Sequence, residues 1–245
     1  MKKYMNNPKQ QFLLDYKNMI ENNKKTNLLL LVFCTDVSHS MSNRFLLADR
    51  TSRIQKLNQA LKEFWGMVKA DPILRASLEV SVVSFGTNVT EVRPFAEITS
   101  DSEPPVLQTE GITMMAEGIE QAIDSLRQRY AFHLKNATAN LLTPVLVILS
   151  DGLPTSPEHR LKNTANLCRQ ATDFKVIPVG IGDSQNSYLH ELSDNVFHIS
   201  DADDAFKTLF EGLVTASISS IGASTTEAYE FLLKSALTWS AAFEN

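Results

Sequence analysis

The sequence predicts an α/β protein built on a doubly wound, mostly parallel central sheet, flanked by helices and carrying one antiparallel edge strand. Three observations carry this. Strand-like and helix-like segments alternate through most of the 245 residues. The strand-like segments 28–35, 144–150 and 174–181 are apolar nearly throughout, as strands covered on both faces are. The segments between them repeat apolar residues at helical spacing. The length suits one such core better than two. An apolar share of 43%, a charged share of 21%, nine Gly and nine Pro exclude a disordered, collagen-like or low-complexity chain.

Taken in order, 28–35 (LLLLVFCT) is the first buried strand. Ile54, Leu57, Leu61, Phe64, Trp65 and Val68 then mark an amphipathic helix over 52–69. Residues 77–86 (SLEVSVVSFG) alternate into a strand, and 88–93 (NVTEVR) is its hairpin mate. The polar stretch 99–110, with Pro104 and Pro105, leads to Gly111. Met115, Ile119, Ala122, Ile123, Leu126 and Tyr130 define a second long helix. A strand at 144–150 runs into the loop Asp151-Gly152-Leu153-Pro154-Thr155. A helix at 159–172, a strand at 174–181, a short helix at 187–192, a strand at 195–199 and a helix at 203–217 complete the pattern.

The body therefore spans 26–220, with an extension at each end. Residues 1–25 form a polar, basic, helical arm with six Lys against Asp15 and Glu21, which leaves the other 220 residues at −9. This arm is either a solvated helix or a partner contact. Residues 221–245 form an amphipathic helical tail with Tyr229, Leu232, Leu233, Ala236 and Leu237 on one face. It either packs on its own domain or docks on a second chain.

The net charge of −5 argues against nucleic acid as a partner. The longest apolar run, Leu28–Cys34, is far short of the roughly twenty residues of a membrane span. The N-terminus lacks the apolar region of a secretory signal, which places the chain in the cytoplasm. Cys34 and Cys168 stand far apart in apolar patterns and read as core residues. The histidines do not cluster at a zinc spacing, and the sequons at Asn88 and Asn136 have no role in the cytoplasm.

In a doubly wound sheet, ligands bind at the carboxyl ends of the strands. There the first strand runs into Asp36-Val37-Ser38-His39-Ser40-Met41. Asp151 follows the strand 144–150 in the same way, and Thr113 follows Gly111 at the start of the second long helix. Hydroxyls and two carboxylates thus converge from three loops, a donor set suited to Mg²⁺ or Mn²⁺, which take about six hard oxygens. With few carboxylates bound directly, the ion stays electron-poor enough to accept an acidic group from a partner. The alternative is ordinary capping by a Ser and two loop aspartates, which leaves the convergence of three loops unexplained.

Asp36-Val37-Ser38-His39-Ser40, Gly111-Ile112-Thr113 and Leu149-Ser150-Asp151-Gly152-Leu153-Pro154-Thr155 together resemble the von Willebrand factor A domain and its metal-ion-dependent adhesion site (MIDAS). The resemblance covers about residues 26–220. It implies Asp36, Ser38, Ser40, Thr113 and Asp151 as metal ligands, and a partner protein whose Asp or Glu completes the coordination. His39 departs from the family, which usually has Gly there, and adds a titratable ring to the rim. Lys69-Ala70-Asp71-Pro72, Ser81-Val82-Val83-Ser84-Phe85-Gly86, Pro104-Pro105-Val106-Leu107, Thr208-Leu209-Phe210 and Ala216-Ser217-Ile218-Ser219 resemble the bacterial tellurium-resistance (TerY-like) members. That implies a stress-response setting and a protein kinase or a PP2C-type phosphatase as partner.

The rival reading is a Mg²⁺-dependent phosphoester hydrolase using the same carboxylates. A haloacid-dehalogenase-type enzyme needs a second carboxylate two residues after the first, and that position is Ser38. No G-x-x-x-x-G-K-[ST], G-x-S-x-G or G-x-G-x-x-G sequence appears. The expectation is a binding module and not an enzyme.

Overall fold

Nine of the ten residues of β1 (Asn27–Asp36) are buried, because β1 lies in the middle of the sheet with helices over both faces. It pairs in parallel with β2 (Leu78–Phe85) on one side and with β5 (Val145–Ser150) on the other. The structure, a computed structural model, describes residues 27–43, 51–137, 139–182, 187–199 and 208–214. The expected arm 1–25 and tail 221–245 lie outside these residues.

The sheet has seven strands in the order β3-β2-β1-β5-β6-β7, with the two-residue β4 (Asn140–Leu141) beside the start of β1. β6 (Lys175–Ile181) and β7 (Phe197–Ile199) extend it in parallel. β3 (Val89–Glu97) closes the opposite edge as the antiparallel strand. The chain builds outward from β1 in both directions, so the switch point falls between the carboxyl ends of β1 and β5.

Alternation along β1 feeds two cores. Leu29, Leu31 and Phe33 face α1 (Arg53–Ala70), α2 (Pro72–Ser77) and the helical segment 208–214. Val32 and Cys34 face α3 (Met115–Asn136), α4 (Glu158–Arg169) and α5 (Ser187–Leu192). On the first face Phe33, Phe64 and Phe210 close a ring triangle with centroids 5.2–5.6 Å apart. At 0% exposure Phe210 fixes the last described helix to the sheet. Burial pushes the Cys34 thiol well up and the Cys168 thiol up to about 12, so both are inert core residues.

Several elements differ from the sequence expectation. β3 continues past Pro94 to Glu97; as an edge strand it tolerates a residue without an N–H, and its register against β2 shifts near Val82. α2 was not expected: Asp71 caps it through the amides of Ile73 and Leu74, with Pro72 in its first turn. Its six residues are too few to show a period. The 99–110 stretch is pinned by Asn58, whose side-chain amide exchanges two 2.8 Å hydrogen bonds with the backbone of Leu107. At the amino end of the sheet, opposite the switch point, buried Glu79 accepts two hydrogen bonds from Arg129 at 2.6 and 2.7 Å and contacts His133 Nε2 at 3.1 Å.

Candidate functional site

Asp36 ends β1 with its side chain buried at the switch point. Its Oδ1 accepts the Ser38 amide at 2.8 Å, which turns the chain sharply out of the strand. Its Oδ2 accepts the Ser150 hydroxyl at 2.6 Å from the neighbouring strand. Ser38 is buried, Ser40 partly so, and His39 between them is exposed. The Ser38 and Ser40 hydroxyls lie 2.9 Å apart, and Ser40 donates to Asp151 Oδ1 at 2.5 Å. Since Ser40 has one proton and gives it to Asp151, Ser38 is the donor to Ser40.

The second loop is locked to the first by its backbone. Glu110 N–H donates to Val37 C=O at 2.6 Å, and His39 N–H to Gly111 C=O at 2.9 Å. Gly111 sits at φ +54, where a Cβ would fall on the Thr87 hydroxyl, so the turn that delivers Thr113 requires glycine. The third loop joins through Thr155, whose amide donates to Thr113 C=O at 2.9 Å and whose hydroxyl accepts from Thr113 N–H at 3.2 Å. A Cβ at Gly152 would lie 3.4 Å from Ser40 Oγ and 3.7 Å from Thr113 Oγ1. The two hydroxyls therefore flank one point beside Asp151.

All five residues singled out by the sequence come together here: Asp36, Ser38, Ser40 and Asp151 through a chain of hydrogen bonds, Thr113 through the Gly152 contact. The donors are hydroxyl and carboxylate oxygens, two carboxylates among them. Among the described residues no group of three or more His, Cys, Asp and Glu side chains is placed to hold a metal. Such a set suits a hard divalent cation that keeps waters or takes further ligands. Burial pushes the Asp36 carboxyl up to about 6; the nearby Asp151 charge adds to this, while hydrogen bonds from Ser150 and Ser38 oppose it. A bound cation would favour the ionised form of the Asp36 carboxyl.

Two contacting residues escaped the sequence reading. Ser150 was quoted only as part of the loop pattern, yet its hydroxyl is what Asp36 Oδ2 binds; the signal was its place on the strand next to β1. Arg53, the first residue of α1, donates from Nη1 to Asp151 Oδ2 at 2.7 Å. That contact spans 98 positions of sequence, and no local pattern announces it.

In an open α/β sheet, oxygen donors gathered from three loops at the switch point stand where such folds place ligand sites, on loops carried by a stable sheet. The chain belongs to the von Willebrand factor type A domain family, whose model matches residues 31–212. Members of this family often mediate protein–protein interaction and bind a divalent metal at the MIDAS. Comparison with curated protein sequences finds no match.

Among solved structures the chain is similar to the pilus adhesin SpaC of Lactobacillus rhamnosus GG (14% identity, TM-score 0.57, 80% of this chain and 32% of that one). It is similar to the PilB minor pilin of Streptococcus sanguinis (13%, 0.55, 80% and 63%). It is also similar to proximal thread matrix protein 1 of the mussel byssus with a zinc-occupied MIDAS motif (17%, 0.50, 79% and 46%). The chain spans less than two thirds of the length of each. At these identities the likeness is one of fold. No helix among the described residues is long and apolar enough to cross a membrane.

Proposed function

We propose that the protein is a cation-dependent protein-binding module in which Asp36, Ser38, Ser40, Thr113 and Asp151 hold a Mg²⁺ or Mn²⁺ ion and a partner's Asp or Glu completes the coordination. The observation that carries this is the Ser38–Ser40–Asp151 chain of hydroxyl and carboxylate, with spacings of 2.9 and 2.5 Å, and the Thr113 hydroxyl that faces the same point beside Gly152 as Ser40 does. The rim supports a protein partner. Ile112, next to Thr113, and Leu153, two residues past Asp151, are 51% and 65% exposed, and they would add apolar contact around a charged centre.

The same donors do not favour a hydrolase. The position where a dehalogenase-type enzyme holds its second carboxylate is Ser38, which offers a neutral hydroxyl and no nucleophilic or acid–base carboxylate. Resemblance to the tellurium-resistance members supports a cytoplasmic stress-response setting with a kinase or a PP2C-type phosphatase as partner. On the same reading 26–220 is the binding domain, and 1–25 and 221–245 are appendages to it.

The test is calorimetric titration with Mn²⁺ and Mg²⁺ of the wild type and of Asp36→Asn, together with a phosphatase assay on a generic phosphoester. The expected result is metal binding that Asp36→Asn abolishes, without turnover. Equal binding by both proteins refutes the site; turnover lost in Asp36→Asn makes it an enzyme.

A further inference from the structure

The histidines follow no zinc-like spacing in sequence, yet the fold brings two of them together at the edge of the sheet. His190 is on α5, and His198 is the middle residue of β7. Phe197 and Ile199 point into the first core, the one beside α1. Alternation therefore turns His198 to the opposite face, which α5 covers through Tyr188, Leu189 and Leu192. Across the ladder His198 stands opposite Gly180, which has no side chain to crowd it. The end of α5 is fixed by Arg169, which donates to the carbonyls of His190 at 2.6 Å and Glu191 at 2.7 Å. The two rings, both on exposed residues, lie with centroids 6.1 Å apart and planes inclined by 36°.

We propose that His190 and His198 form a second cation site, which takes a transition ion of the Zn²⁺ class and ties α5 to the edge strand β7. The site shares no residue with the one at the switch point and does not depend on it. Two imidazoles on one ion, each bound through a nitrogen at about 2.0–2.1 Å, bring their ring centres to about 5–6.5 Å. The observed 6.1 Å falls within that range, and the torsion that turns an imidazole is soft. Partial burial, and after it the charge of His190, hold the His198 ring below its ordinary 6.5, which favours the neutral form that binds metal. Imidazole nitrogens suit Zn²⁺, Ni²⁺ and Cu²⁺, whereas Mg²⁺ prefers oxygen. Two side chains leave two tetrahedral positions open to water or to a partner's ligand. An ion that bridges the two rings favours the docked arrangement of α5 and β7 over any in which they part.

The experiment is calorimetric titration of the full chain with Zn²⁺ in excess Mg²⁺, which competes at sites built of oxygen. His190→Gln, His198→Gln and the double variant are compared with wild type. His159→Gln, at an exposed histidine of α4, is the control, and far-UV circular dichroism checks the fold of each. Losing a direct ligand costs at least as much as disturbing a group behind one, so either single variant is expected to bind Zn²⁺ at least about tenfold more weakly. The double variant is expected to bind no more weakly than the singles, because one ion needs both rings. His159→Gln should bind as wild type does. In wild type, Zn²⁺ is expected to slow hydrogen exchange over 187–199, and in the double variant to leave it unchanged. Wild type that binds Zn²⁺ no tighter than the double variant, single losses that add as for two separate sites, or an equal loss in His159→Gln overturns the inference. Exchange over 187–199 that Zn²⁺ does not slow in wild type overturns it too, a readout that needs no variant to fold.

Discussion

Replacing Thr113 by Val removes a hydroxyl and keeps the shape of the side chain. Thr113 is 6% exposed, yet its backbone ties it to its neighbours. Its N–H donates to Thr155 Oγ1 at 3.2 Å, and its C=O accepts from the amides of Thr155 and Met115, each at 2.9 Å. None of these bonds uses Oγ1. The mesh between the loops therefore survives the substitution, and stability in EDTA changes by less than about 1 kcal/mol.

On the proposed reading a metal ion, by contrast, loses a direct oxygen. Disturbing groups behind a ligand weakens metal binding by about 10–100-fold, so losing the ligand itself falls at the upper end, about 2.7 kcal/mol. With Mg²⁺ at ten times the wild-type dissociation constant, binding adds about 1.4 kcal/mol to wild type and under about 0.1 kcal/mol to the variant. For a domain of this size that is a gain of about 3–6 °C in Tm for wild type and almost none for Thr113→Val. Scanning calorimetry in EDTA and in Mg²⁺ reads both numbers. A variant that keeps the wild-type gain shows that Thr113 is not a ligand. A variant that melts far below wild type in EDTA shows that its hydroxyl is structural.

Phe210→Ala opens a cavity under the ring triangle with Phe33 and Phe64 and is expected to cost about 3–5 kcal/mol in urea unfolding; a loss under about 1 kcal/mol would show that segment 208–214 does not belong to the core. Glu79→Gln acts at the other end of the sheet. Burial alone would raise the Glu79 carboxyl, but hydrogen bonds and charge from Arg129 and His133 outweigh it and hold the group below its ordinary 4.5. A carboxyl lowered on folding adds stability above its unfolded value and loses it as pH falls through the folded one. Glu79→Gln should therefore cost about 1.5–3 kcal/mol at pH 7 and flatten the decline of stability below about pH 4.5; an unchanged acid limb by urea unfolding refutes the assignment.

The parallel strands were legible because burial on both faces leaves a continuous apolar run, and 28–35, 144–150 and 174–181 contain little else. The edge was harder. β3 alternates between half-buried and exposed residues, and Pro94 suggests an early end that an edge strand does not need. α2 and β4 are six and two residues long, too short to repeat a helical or strand period often enough to reveal them. The five candidate site residues were legible for a different reason: Asp36 and Asp151 directly follow the buried strands, Ser38 and Ser40 recur at alternate positions after Asp36, and Thr113 lies two residues past Gly111. Ser150 and Arg53 were hidden because their roles depend on neighbours across strands or far along the chain, and single-sequence periodicity is blind to both.

The site is separable from the core in a way that bears on how it could have changed. The two apolar clusters reach the switch point through Leu149 and Cys34 and draw nothing from the hydroxyls of Ser38, Ser40 or Thr113. The loops are held by backbone bonds, from Val37 to Phe85 and Glu110, from His39 to Gly111 and from Thr155 to Thr113, which do not depend on which side chains project from them. Val37 and Met41 are anchored in the first cluster and Gly111 is fixed by its positive φ, but the hydroxyls of Ser38 and Thr113 can be exchanged on such a frame at small cost in stability. The exceptions are the groups that carry charge inward. Asp36 is held at both oxygens by Ser38 and Ser150, and Asp151 is held by Ser40 and Arg53; removing a partner strands a buried carboxylate. On the proposed reading, function and stability therefore part at Ser38 and Thr113 and meet at the aspartates and at Ser40, which holds Asp151.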